Sequence, residues 1–134
     1  MAFCYSFTMK KRILVIEDEH EIALIIKMRL EISGYDVVQA FDGQDGLQKA
    51  KTISPDLILL DLVLPKVGGE QILNELKDDD KYKCIPIIVV TGLAQDAFSL
   101  KDSISKADAY FLKPFDSVEL LATIADFLKG PCNN

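Results

Sequence analysis

Five short, largely apolar runs, separated from one another by stretches of helical spacing, constrain this chain more than any other feature. The runs fall at residues 13–16, 36–40, 57–60, 85–90 and 109–112. Uninterrupted runs of this length suit strands buried on both faces, as in a parallel sheet covered by helices. The second, Asp36-Val37-Val38-Gln39-Ala40, is less apolar and reads as nearer an edge. The intervening stretches predict helices to about residue 33, then over 44–52, 70–78, 96–105 and 117–128, with Asp42 and Asp116 or Ser117 placed to cap two of them. Strand and helix alternating five times imply a doubly wound α/β sheet in three layers.

At 134 residues, with 49% hydrophobic and 27% charged content, the chain suits one domain with a single core. Residues 1–9 read as an N-terminal extension, 10–130 as the domain and 131–134 as a tail. The net charge of −6 argues against general affinity for nucleic acid or anionic membranes. No apolar run reaches the length of a membrane span, and the charges at Lys10-Lys11-Arg12 follow the apolar start, opposite to the order in a secretory signal. Three cysteines, Cys4, Cys84 and Cys132, lack metal-site spacing and suit reduced thiols in a cytoplasm.

Parallel strands bring their carboxyl ends to one edge, where open α/β sheets bind ligands. Just past the runs stand Glu17 and Asp18, Asp61, Thr91 and Lys113. Three neighbouring carboxylates repel unless a cation sits among them, and hard oxygen donors with room for water suit Mg2+. A cation, a lysine and a hydroxyl around one aspartate can cradle a phosphoryl group, and an aspartate can take that group as nucleophile. Each residue also has a plainer reading. Asp61 can open a turn before Pro65, and Glu17-Asp18 can complement a helix dipole. Thr91 is a common strand residue, and Lys113 taken singly reads as solvated. His20, the lone histidine, reads as a surface residue between Glu19 and Glu21, and Asp78-Asp79-Asp80 as a solvated helix end.

These motifs together resemble the receiver domain of two-component response regulators, over about residues 11–129. The resemblance rests on Ile13-Leu14-Val15-Ile16-Glu17-Asp18-Glu19, on Pro55-Asp56-Leu57-Ile58-Leu59-Leu60-Asp61-Leu62-Val63-Leu64-Pro65, on Gly69, on Thr91 and on Lys113-Pro114. It implies strand order 2-1-3-4-5, with Asp61 as phosphoacceptor and Mg2+ held by Asp18, Asp61 and the carbonyl of Val63 while Glu17 orients a bound water. It further implies a switch hydroxyl at Thr91, its lysine partner at Lys113, an aromatic switch at Tyr110 and a cis bond before Pro114. Departures are Glu17 for the commoner Asp, Gly68-Gly69 for Asp-Gly, and Gly92 where Ala is frequent.

The implied partners are a sensor histidine kinase or phosphotransfer protein, and downstream a protein target or second copy at the surface of helix 96–105, the last strand and helix 117–128. The chain reads as a stand-alone receiver or a piece of a longer regulator. The rival reading is a Mg2+-dependent phosphatase with an aspartyl nucleophile. Such enzymes usually carry a second acid two residues on, where this chain has Val63.

Overall fold

The computed structural model describes residues 10–92 and 105–129. In order they form β1 (Arg12–Ile16), α1 (His20–Ile32), β2 (Asp36–Ala40), α2 (Gly43–Thr52), β3 (Leu57–Leu60), α3 (Gly69–Lys77), β4 (Ile87–Thr91), β5 (Ala109–Leu112) and α4 (Ser117–Leu128). Of the helix expected over 96–105 only Ser105 is among the described residues, in a turn; the extension and tail lie outside them. All strand pairs are parallel, and the sheet order is β2-β1-β3-β4-β5. The expected α/β architecture and strand order are those observed.

The uninterrupted apolar runs follow from the two-residue period of a strand, which sends successive side chains to opposite faces. Leu14, Ile16, Ile58, Leu60, Ile87 and Val89 pack on one face against Ala50 of α2 and Ile72, Leu73 and Leu76 of α3. Their neighbours Ile13, Val15, Leu57, Leu59, Ile88 and Val90 pack on the other, against Ile26 and Leu30 of α1 and Leu120 and Ile124 of α4. Both faces need apolar cover, so the interior positions of the central strands are apolar and polar residues stand only at their ends, Arg12 opening β1 and Thr91 closing β4. Each fully buried side chain of this size contributes about 1.5–3 kcal/mol relative to exposure. β2, at the edge, has only Ala40 fully buried.

Local chemistry sets the ends of the elements. The Asp42 carboxylate accepts from the Asp45 N–H at 2.8 Å, and Asp116 caps α4 through the N–H groups of Val118 and Glu119. β4 begins at Ile87 rather than at residue 85. Pro86 has no N–H for the ladder, although its carbonyl still accepts from Ile58. The same strand runs on through Thr91, whose register partner is Leu112. Cys84 is disulfide-bonded, which corrects the expectation of a reduced thiol there; three cysteines leave room for one pair.

Candidate functional site: an acidic pocket at the carboxyl edge of the sheet

Register builds the site. Ile16 of β1 pairs with Leu60 of β3, so the residues that follow, Glu17 and Asp61, emerge side by side. The Asp61 N–H donates to the Ile16 carbonyl at 3.0 Å, and the Glu17 N–H to the Ala40 carbonyl at 3.0 Å. On the other side, Lys113 follows Leu112, and its N–H donates to the Thr91 carbonyl at 2.9 Å. Two backbone ladders therefore converge on the same few ångströms.

Glu17, Asp61 and Thr91 are 2%, 5% and 0% exposed, and they are the buried polar residues among those described. Buried charges need partners, and Lys113 supplies one. Its ammonium donates to Glu17 Oε1 at 2.7 Å, to Asp61 Oδ2 at 3.1 Å and to Glu19 Oε1 at 3.4 Å. Burial raises the Glu17 carboxyl to about 7; the hydrogen bond from Lys113 opposes the rise and the Asp61 charge adds to it. Burial alone would lower Lys113, but hydrogen bonds to Glu17 and Asp61, with their charges, hold it above its ordinary value. The Thr91 hydroxyl is buried with no hydrogen-bond partner among the described residues.

The loop after β3 is held close by glycine. A Cβ on Gly69 would stand 2.3 Å from the Asp61 carbonyl oxygen and 2.5 Å from Leu62 Cα, so α3 can start there only without a side chain. The Gly69 N–H donates to the Leu62 carbonyl at 3.1 Å. Within the loop, the Val63 N–H donates to Asp61 Oδ1 at 3.2 Å and fixes the rotation of that carboxylate. The Val63 side chain itself is half exposed.

The structure brings Glu17, Asp61 and Lys113 into contact, with Thr91 joined to Lys113 through the backbone. The carboxylates that converge within 4.8 Å are those of Glu17, Glu19 and Asp61. Asp18 is half-buried and is not one of the three. The chain bends at Asp18, the Glu19 N–H donates to Glu17 Oε2 at 3.2 Å, and the carboxylates on either side of the bend both reach the pocket. Glu19 is the site residue that sequence reasoning passed over; its position two beyond Glu17 was the available signal. Tyr110 is partly buried against the core that carries Leu60. The Lys113–Pro114 peptide bond is cis. His20 is exposed, yet its ring stacks on Phe41 with centroids 4.2 Å apart and an interplanar angle of 2°.

A parallel five-stranded sheet with an acidic pocket and a lysine at its carboxyl edge defines a class, and comparison with known proteins defines the family. The model of the response regulator receiver domain matches residues 13–125, so the chain belongs to that family and is a module of two-component phosphorelay signalling. The chain is 42% identical over 88% of its length to the DNA-binding dual master transcriptional regulator RpaA of a Synechocystis species, spanning 49% of that protein. It is 37% identical over 90% of its length to the alkaline phosphatase synthesis transcriptional regulatory protein PhoP of Bacillus subtilis, spanning 50% of it. The chain thus spans about half the length of these curated relatives. Among solved structures it resembles the response regulator TrrA of Thermotoga maritima in complex with Mg2+-BeF. The TM-score is 0.79 at 32% identity, covering 88% of this chain and 99% of that one.

Proposed function

We propose that Asp61 is the phosphoacceptor of this receiver, taking a phosphoryl group from a phosphohistidine on a sensor histidine kinase or phosphotransfer protein. The observation that carries the reading is Lys113, whose ammonium already bridges Asp61 and Glu17 in the resting site. In the step, Asp61 Oδ forms a bond to phosphorus as the P–N bond breaks, and the donor imidazole, already protonated at its other ring nitrogen, leaves as the neutral ring. Lys113 balances charge on the transferring oxygens, where fixed donors in a buried site stabilise most.

The carboxylates that converge in the pocket, those of Glu17, Glu19 and Asp61, are hard oxygen donors of the kind that Mg2+ takes. Asp18, Asp61 and the Val63 carbonyl would hold the ion, with Glu17 orienting a bound water. Once bound, it would neutralise charge on the phosphoryl group and its donor. Thr91 then gains the hydrogen-bond acceptor it lacks among the described residues: the phosphoryl group adds about −1.5 to −2 charge and three strong acceptor oxygens beside it. Movement of Thr91 toward that group, with Tyr110 turning inward, would bias the surface of residues 96–105, β5 and α4. A protein target or second copy would read that surface, where Leu112 and Val118 are exposed. Among the described residues no helix is long and apolar enough to cross a membrane. We place the protein with its kinase partners in the cytoplasm.

The phosphatase reading finds no support at Val63, since an aliphatic side chain cannot protonate a leaving group. Incubation with Mg2+ and acetyl phosphate, followed by intact mass measurement, tests the proposal. One phosphoryl adduct on the wild type and none on Asp61→Asn is the expected result. No adduct on the wild type, or an undiminished adduct on Asp61→Asn, refutes it.

A further inference from the structure

Glu19 has no assigned part in this chemistry, yet its side chain does something unusual. It occupies the residue before α1, and its side chain, longer than those that cap helices, makes no cap there. Its carboxylate reaches instead to the Lys113 ammonium at 3.4 Å, across 94 residues of sequence. Two contacts aim it there. The Glu19 N–H donates to Glu17 Oε2 at 3.2 Å, and the next residue, His20, is stacked on Phe41 at the end of β2. A third acid is thereby set against one lysine.

We propose that Glu19 is a positioning residue for phosphoryl transfer: it holds Lys113 back in the resting site and slows uptake of a phosphoryl group by Asp61. The inference rests on the reading of Asp61 as phosphoacceptor. Lys113 is divided among three carboxylates, and two of them, Glu17 and Asp61, are buried and hold it most closely. Glu19 lies at the exposed mouth, with its side chain 60% exposed. There it offers the ammonium a third anion, at 3.4 Å, that competes with a phosphoryl oxygen for its protons. Its charge also meets an incoming phosphodonor, which is itself an anion. The same charge favours a divalent cation. Removing it should therefore speed transfer while weakening the cation, two effects of opposite sign that a simple loss of structure does not produce.

The test compares wild type, Glu19→Gln and Glu21→Gln, the last removing an equal charge from the exposed first turn of α1. Acetyl phosphate at saturating Mg2+ is the donor: its P–O bond breaks, the Asp61 O–P bond forms, and acetate leaves. The rate is read by intact mass, and Mg2+ affinity is measured separately by calorimetry without donor. For Glu19→Gln the rate should rise about threefold to tenfold and the Mg2+ dissociation constant about twofold to fivefold, as expected for one charge a few ångströms away in a wet site. Glu21→Gln should change either by less than about twofold, being farther off and screened. An unchanged or slower Glu19→Gln, a tighter Mg2+ constant, or the same gain in Glu21→Gln overturns the inference while the phosphoacceptor reading stands. A wild type that forms no adduct overturns both.

Discussion

Glu17 should make the stability of the cation-free protein fall as pH rises through the weakly acidic range. Its carboxyl keeps a proton up to about pH 7 in the folded state, against 4.5 ordinarily, because burial penalises the charged form. Between those values the folded chain holds more protons than the unfolded one, so raising the pH favours unfolding. The contribution is fully present below about pH 4.5 and lost by about pH 7. Converted at about 1.4 kcal/mol per pH unit, the gap amounts to about 3 kcal/mol. The perturbation is Glu17→Gln, which keeps the shape and cannot ionise. Urea unfolding of both proteins in EDTA across this range gives two curves of stability against pH, and their difference isolates Glu17 from the other carboxylates. The wild type should lose about 3 kcal/mol relative to the variant between the two ends. Saturating Mg2+ should flatten the difference, since a nearby cation favours the ionised acid. Parallel curves in EDTA, or a wild type that gains on the variant as pH rises, would refute the reasoning.

Thr91→Val should stabilise the unphosphorylated protein by about 1 kcal/mol in urea unfolding, because it removes a buried hydroxyl that has no partner among the described residues. A loss of stability of similar size would mean that the hydroxyl is satisfied. Gly69→Ala forces a methyl against the Asp61 carbonyl and should cost about 1–3 kcal/mol, with slower adduct formation on Asp61 measured by intact mass. Asp116→Ala should cost about 1 kcal/mol through loss of the α4 cap, with the adduct rate unchanged. Leu60→Ala, at a fully buried position next to Asp61, should cost about 2–5 kcal/mol in the same unfolding assay.

The architecture was legible because burial on both faces leaves a plain mark: four consecutive apolar residues at 57–60 and again at 13–16, with nothing polar between. Caps were legible where the side chain is short and acidic, as at Asp42 and Asp116. The start of β4 was not, because apolarity at residue 85 outweighed in the reading the missing N–H of Pro86. In the site, Glu17, Asp61, Thr91 and Lys113 were each readable as residues that end a run. Glu19 was hidden because its contact is made across 94 residues, and because a glutamate before a helix has an adequate local explanation. Asp18 was legible as half of an acidic pair, and the chain bends there, with Glu17 and Glu19 on either side reaching Lys113. The close approach of Gly69 to Asp61 was also out of reach, since a glycine in a loop looks the same whether it turns a chain or makes room for one.

The pairing of Ile16 with Leu60 has a consequence for how such a protein can vary. Glu17 and Asp61 are neighbours only because β1 and β3 run in step; a slip of one residue would turn either carboxylate to the far side of the sheet. Helices and turns on the outer layers can change wherever they stay clear of that edge, as Gly69 does not. The two strands have to stay in step at their carboxyl ends. Acceptance of a phosphoryl group is therefore also a gauge of alignment, graduated in single residues, and any insertion that keeps it has left β1 and β3 in phase.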